Sequence, residues 1–137
     1  MRKDSRLSRV LHVLIHLNSY SHPVTSDTLA NMLMTNPVVV RRTMALLRQA
    51  GYVSAIKGHN GGWLLATPLT DITLFDIHQA LGEKNLFVIG LTDEHSNCPI
   101  KHAVNSALQN AMDDAEALLL KRFAEVSLAE LASQFKK

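Results

Sequence analysis

Apolar residues recur along this chain first at helical spacing, then in alternation, then at helical spacing again, which marks out short helices, a hairpin and one long helix. Between residues 5 and 19, Leu7, Val10, Leu11, Leu14, Ile15 and Leu17 keep the helical period, with Arg6 and Arg9 outside the stripe. His22 and Pro23 end that region, Val24 and Thr25 form a short extended link, and Ser26 begins a second helix through Thr28, Leu29, Ala30, Met32 and Leu33. Met34 and Thr35 then turn the chain into residues 36–51, NPVVVRRTMALLRQAG, which carry helix punctuation at both ends. The Asn36 side chain can cap the first open amides, Pro37 suits a position where no donor is needed, and Gly51 can take the left-handed conformation that closes the helix. Val40, Met44 and Leu47 make one buried stripe, while Arg41, Arg42 and Arg48, with Val38 and Gln49, lie off it. Two short helices joined by a tight turn, the second bearing arginines, make a helix-turn-helix.

Residues 52–57, YVSAIK, alternate as a strand does, and a second strand over 63–66 follows the loop Gly58-His59-Asn60-Gly61-Gly62. The loop is rich in residues that accept positive φ, so the two strands form a hairpin, and helix-turn-helix plus hairpin is a winged helix. No lysine-serine pair or following helix supports reading the glycines as a nucleotide phosphate cradle. Thr73 caps an amphipathic helix over 74–81, with Leu74, Ile77 and Leu81 on one face and a stop at Gly82. The pattern over 83–98 is irregular: 86–89 reads as extended and 90–97 as a polar loop. Pro99 opens the longest helix, to about residue 126, whose apolar stripe of Ile100, Ala103, Val104, Ala107, Leu108, Ala111, Met112, Ala115, Leu118, Leu119 and Phe123 runs for some seven turns. At 1.5 Å per residue such a helix spans roughly 40 Å, more than a small body can cover, which predicts that part of it meets a second subunit. Ser127 and Glu130 have capping-box spacing and start a last helix with Leu128, Leu131 and Phe135 inward. The expected fold is mainly α with a small β-hairpin. Residues 1–82 form the winged helix-turn-helix, 83–98 a connecting or effector loop, and 99–137 the dimerisation helix and C-terminal helix, within one compact domain.

The 137 residues suffice for one core without staple or metal. At 47% hydrophobic and 5% aromatic, that core must be mostly aliphatic. The single cysteine excludes an intramolecular disulfide and, with no secretory signal and no stretch approaching a membrane span, predicts a reducing cytoplasm. The net charge of +2 conceals a division: residues 1–62 hold eight Lys/Arg against Asp4 and Asp27, net +6, and the remainder six against ten acids, net −4. A basic N-terminal part joined to an acidic C-terminal part confines polyanion binding to one end of the molecule.

Taken together, TNPVVVRRTMALLRQAGYV, GHNGGWLLATP, ITLFDIHQAL, NCPIKHAV and VSLAELA, in that order and over nearly the whole chain, resemble the bacterial winged-helix transcription regulators of the Rrf-two type. That family includes the iron-sulfur cluster regulator, the nitrite-sensitive repressor and the cysteine-metabolism repressor. The resemblance implies a homodimer joined through the long helix that binds a roughly twofold-symmetric operator in double-stranded DNA, often gated by an iron-sulfur cluster. The chain departs from the cluster-binding members, which use three cysteines before and at the start of the long helix, because only Cys98 is present. One cysteine leaves too few ligands for a cluster within one subunit, so no cofactor is expected. The wing also has Leu64 and Thr67 where relatives often carry arginine.

The residues expected on DNA are Arg41 and Arg42 in the major groove, Thr35, Asn36 and Val38 near base edges or phosphates, Arg48 on the same helix, and His59 and Asn60 of the wing, with a smaller share. Cys98 stands before Pro99 at the positive end of the long helix, where a thiolate is stabilised. Three readings stay open for it: a passive residue, a redox or electrophile sensor, or a metal ligand with His95 and His102. A small-molecule or redox effector stays open as a partner. His12 and His16, four apart, have the spacing that lets two imidazoles share a metal; no third ligand is evident, and the expectation is two partly exposed histidines and no metal. Two other functions compete with a non-catalytic DNA-binding repressor. A cysteine-dependent enzyme would pair Cys98 with a histidine base, and a protein-protein adapter would have no reason to expose three arginines in a segment without acids.

Overall fold

The computed structural model describes residues 6–82 and 98–134. The expected extended stretch 86–89, the polar loop 90–97 with His95, and Phe135 lie outside the described residues. Helix α1 (Arg6–Asn18) is followed by α2 (Ser26–Leu33) and α3 (Pro37–Gln49), the antiparallel strands β1 (Val53–Ile56) and β2 (Gly62–Leu65), a 3-10 turn (Leu69–Asp71), α4 (Leu74–Ala80), the 26-residue α5 (Pro99–Ala124) and α6 (Leu128–Ser133). The chain is thus mainly α with one hairpin, as the periodicity predicts.

The core draws on every element before α5 except β2, whose residues are all half-buried, and on α6. Val10, Val13, Leu14 and Leu17 of α1 pack with Leu29 of α2, Val40, Met44 and Leu47 of α3, Val53 of β1, Ile77 of α4 and Leu128 of α6. Each of these helices buries one stripe because no single short helix is stable in water without a packed apolar face. The 3-10 turn, which periodicity does not predict, buries Leu69 and leads to the fully buried Ile72. Ile72 in turn accepts the Leu128 amide at 2.8 Å, and the Leu74 amide reaches the Val126 carbonyl at 3.1 Å, so α6 returns to the winged-helix body through backbone bonds.

Two contacts that link distant parts of the chain escape local pattern. Val24 pairs with Trp63 through bonds of 3.0 and 2.8 Å, and the Trp63 indole N–H donates to Ser26 Oγ at 2.9 Å, so the link before α2 anchors the hairpin. A Cβ at Gly62 would stand 2.6 Å from the Val24 carbonyl carbon, which explains glycine where the two backbones cross. Arg6, outside the α1 stripe, donates to the Leu81 carbonyl at 3.0 Å and ties the start of α1 to the end of α4.

Helix α5 differs from the rest: none of its residues is buried. The single stripe that the spacing predicts is divided in two. Met112, Leu119 and Phe123 are half-buried, and Phe123 lies edge-on to the buried His78 of α4, ring centroids 6.3 Å apart. Ile100, Val104, Leu108 and Leu118 are exposed, Ile100 and Leu118 by 75% and 71%. Residues 100 and 118 are separated by five full turns, so they share one side of the helix.

Candidate nucleic-acid interface

The geometry of α3 follows from its ends. Asn36 has extended backbone and its side-chain oxygen accepts the Val38 amide at 2.7 Å, Pro37 occupies the first turn, and Gly51 closes the C-terminal side at φ +90°. The connection from α2 is tight because Met34 takes a left-handed conformation, φ 54°, and the Thr35 amide returns to the Ala30 carbonyl at 2.9 Å. Methionine is an uncommon residue in that conformation. Its side chain is 93% exposed beside the α3 N-terminus, and neither the spacing nor the turn composition singles it out.

With Val40, Met44 and Leu47 in the core, Arg41, Arg42 and Arg48 are exposed, as are Asn36 and Val38, while Thr35 is half-buried at the turn. The structure therefore brings the predicted residues of this helix to its outer side and its N-terminal end. Open amides and the positive end of the helix dipole add to the arginines at the start of α3. Arg48, in the last turn, also complements the negative end of the dipole. Arg9 is half-buried and lines, with Arg6, Thr35, Val39 and Thr43, a small notch between α1 and α3.

In the wing, the register Val53↔Leu65 to Ile56↔Gly62 places residues 57–61 at the tip. Asn60 takes φ 62°, Gly58 φ 90°, and His59 and Asn60 are exposed. Trp63 points back to Ser26 instead of outward. Beneath the hairpin, burial and the nearby Asp76 carboxylate push the Tyr52 phenol above its usual value, so it remains neutral. Cys98 is exposed and holds the N-cap position of α5, its carbonyl accepting the His102 amide at 3.2 Å. Among the described residues no helix is long and apolar enough to cross a membrane.

Known proteins resemble this chain in sequence and in fold. YwnA of Bacillus subtilis, assigned as an HTH-type transcriptional regulator, is 27% identical over 128 residues, 93% of this chain and 95% of YwnA. A crystal structure of a Lactobacillus plantarum protein assigned as a transcriptional regulator matches with a TM-score of 0.81 at 23% identity, covering 94% of this chain and 88% of that one. CymR, the global cysteine regulator of B. subtilis, matches with a TM-score of 0.64 at 22% identity over 99% of both chains. The sequence profile of the Rrf2 family, described as iron-dependent transcriptional regulator, matches residues 4–134, and the chain belongs to this family of winged-helix transcription regulators.

Proposed function

We propose that the protein is a homodimeric repressor that reads a roughly palindromic operator with α3. The observation that carries this reading is the outer face of α3, where Arg41, Arg42 and Arg48 are exposed in a 13-residue helix without an acidic residue. Arg41 and Arg42 enter the major groove from the helix N-terminus, with Thr35, Asn36 and Val38 close to bases or phosphates. Met34 adds an exposed apolar side chain suited to a thymine methyl group. His59 and Asn60 lie along the backbone beside this site and contribute less. Two such helices, about 34 Å apart across a dimer, match one turn of DNA.

The dimer forms through the outward face of α5, where Ile100, Val104, Leu108 and Leu118 lack cover. The family's iron dependence does not extend here to a cluster within one subunit. Such a cluster takes four ligands, usually thiolates, and this chain supplies one cysteine. Any built-in chemical switch runs through the Cys98 thiol, at the junction of the body and α5, where oxidation or alkylation alters the spacing of the two recognition helices.

Selection of bound fragments from random duplex DNA tests the reading directly, since it returns one enriched, twofold-related sequence if the proposal is right and none if the protein is an adapter. Arg41→Ala or Arg42→Ala should cost about 1 to 3 kcal/mol where the arginine reads a base, or reduce the salt slope by about one where it holds a phosphate. Unchanged affinity and salt dependence in both variants would remove α3 from the interface. For the thiol, the DNA affinity of wild type should respond to mild diamide and that of Cys98→Ser should not.

A further inference from the structure

His12 and His16 lie one turn apart on α1, away from the interface described above, and their side chains converge. The two Nε2 atoms are 2.8 Å apart and the ring centroids 4.5 Å, with the planes inclined by 53°. Two explanations of so short a nitrogen-nitrogen distance predict different ring separations. An imidazole nitrogen lies about 1.15 Å from its ring centre, so a linear N–H···N bond of that length would hold the centroids about 5.1 Å apart. Two rings aimed at one ion at about 2.05 Å, with a right angle between them, would hold the nitrogens about 2.9 Å and the centroids about 4.5 Å apart. The observed centroid distance is shorter than a linear bond allows and fits both a bent N–H···N bond, which joins the rings in this structure, and two rings turned toward one ion. A tetrahedral angle at the same bond length would need nitrogens about 3.3 Å apart.

The surroundings are compatible with such a site. Both side chains border an open groove of ≈ 780 Å³ between α1, the 3-10 turn and α6, which leaves room for water on the remaining coordination positions. Among the described residues no group of three His, Cys, Asp or Glu is gathered.

From the convergence of these two rings beside the groove, we infer that His12 and His16 form a two-imidazole chelate for a divalent ion that accepts nitrogen ligands at right angles, Cu²⁺ before Ni²⁺, with water completing the coordination. Right-angled nitrogen coordination is the habit of square-planar and tetragonal ions, and Cu²⁺ heads the affinity order of the first-row divalents. The site is independent of the DNA-binding proposal, because neither histidine lies on α3 or the wing.

The test is calorimetric and spectroscopic titration of the untagged full-length protein with Cu²⁺ and Ni²⁺ in a non-coordinating buffer. Wild type should bind one Cu²⁺ per chain at this site, with the visible band of nitrogen-ligated tetragonal copper. His12→Gln and His16→Gln should each weaken this binding about tenfold or more. His22→Gln, on the loop after α1, should leave it unchanged. Saturating ion should raise the melting temperature of wild type and of His22→Gln only, since binding to the folded form alone stabilises it. Far-UV circular dichroism confirms that the variants are folded, and His16→Cys, which restores a ligand atom at the same position, should recover binding if the residue acts as a ligand. Equal copper affinity in wild type, His12→Gln and His16→Gln would overturn the proposal, as would wild type that binds no ion at micromolar concentration.

Discussion

Helices α3 and α5 both leave much of their surface uncovered, yet the chemistry they expose is opposite. Helix α3 commits Val40, Met44 and Leu47 to the core and shows arginines on its other side. Helix α5 commits no residue fully to the core and shows Ile100, Val104, Leu108 and Leu118. A solvated arginine face has a low cost in water and attracts polyanions, whereas an aliphatic face of this length is favourable only once covered. The difference shows that helical periodicity identifies an apolar stripe without identifying what covers it. In α3 the stripe is part of the core; in α5 the same kind of pattern is shared between the body, through Leu119 and Phe123, and an outward face.

Truncation should separate the two helices most strongly. Leu47→Ala, at a fully buried position, is expected to cost about 2–5 kcal/mol in denaturant unfolding, whereas Leu118→Ala in dilute, dissociated protein should cost less than about 0.5 kcal/mol. Similar losses at both sites would mean that α5 is covered by its own chain. A charge on the exposed face comes next. Sedimentation of wild type at micromolar concentration should give about twice the 15.2 kDa chain mass, and Leu108→Asp or Leu118→Asp should weaken self-association at least about tenfold, or about 1.4 kcal/mol. An unchanged dimer in both variants would place the interface elsewhere, and a monomeric wild type would remove the two-half-site arrangement.

A smaller effect is expected at the start of α3. Replacing Asn36 by Ala removes the oxygen that holds the Val38 amide and should cost about 1 kcal/mol of stability, with additional loss of DNA affinity if the residue also meets DNA. The smallest effect is the pH dependence contributed by His16. Its folded value is lowered below the ordinary 6.5 by desolvation and by His12, so the unfolded chain binds more protons between the two values. Stability should therefore rise as pH increases through that window and fall as pH drops below 6.5. His16→Gln should flatten the melting temperature against pH slightly, given how exposed the pair is; an unaltered slope would show that His16 is not desolvated.

Most of the helix boundaries were legible in the sequence because they are local. Asn36 and Pro37 start α3, Thr73 caps α4, Ser127 caps α6, and periodicity selects the buried stripes of α1 and α3, all through interactions within a few residues. The exposure of Arg41, Arg42 and Arg48 was legible for the same reason, since a helix that buries one side must present the other. What depended on the tertiary structure involves pairs distant in sequence or the direction of a side chain. Pairing of Val24 with Trp63 crosses 39 positions, the bond from Arg6 to the Leu81 carbonyl crosses 75, and the buried His78 meets the ring of Phe123 on α5. The i, i+4 spacing of His12 and His16 says that they share a face, but only the side-chain rotamers decide that their rings converge. Local composition therefore determined the elements and the basic face, and the assembled structure determined which stripe is core, which remains uncovered and which side chains meet, because those outcomes depend on surfaces that exist only after distant segments pack together.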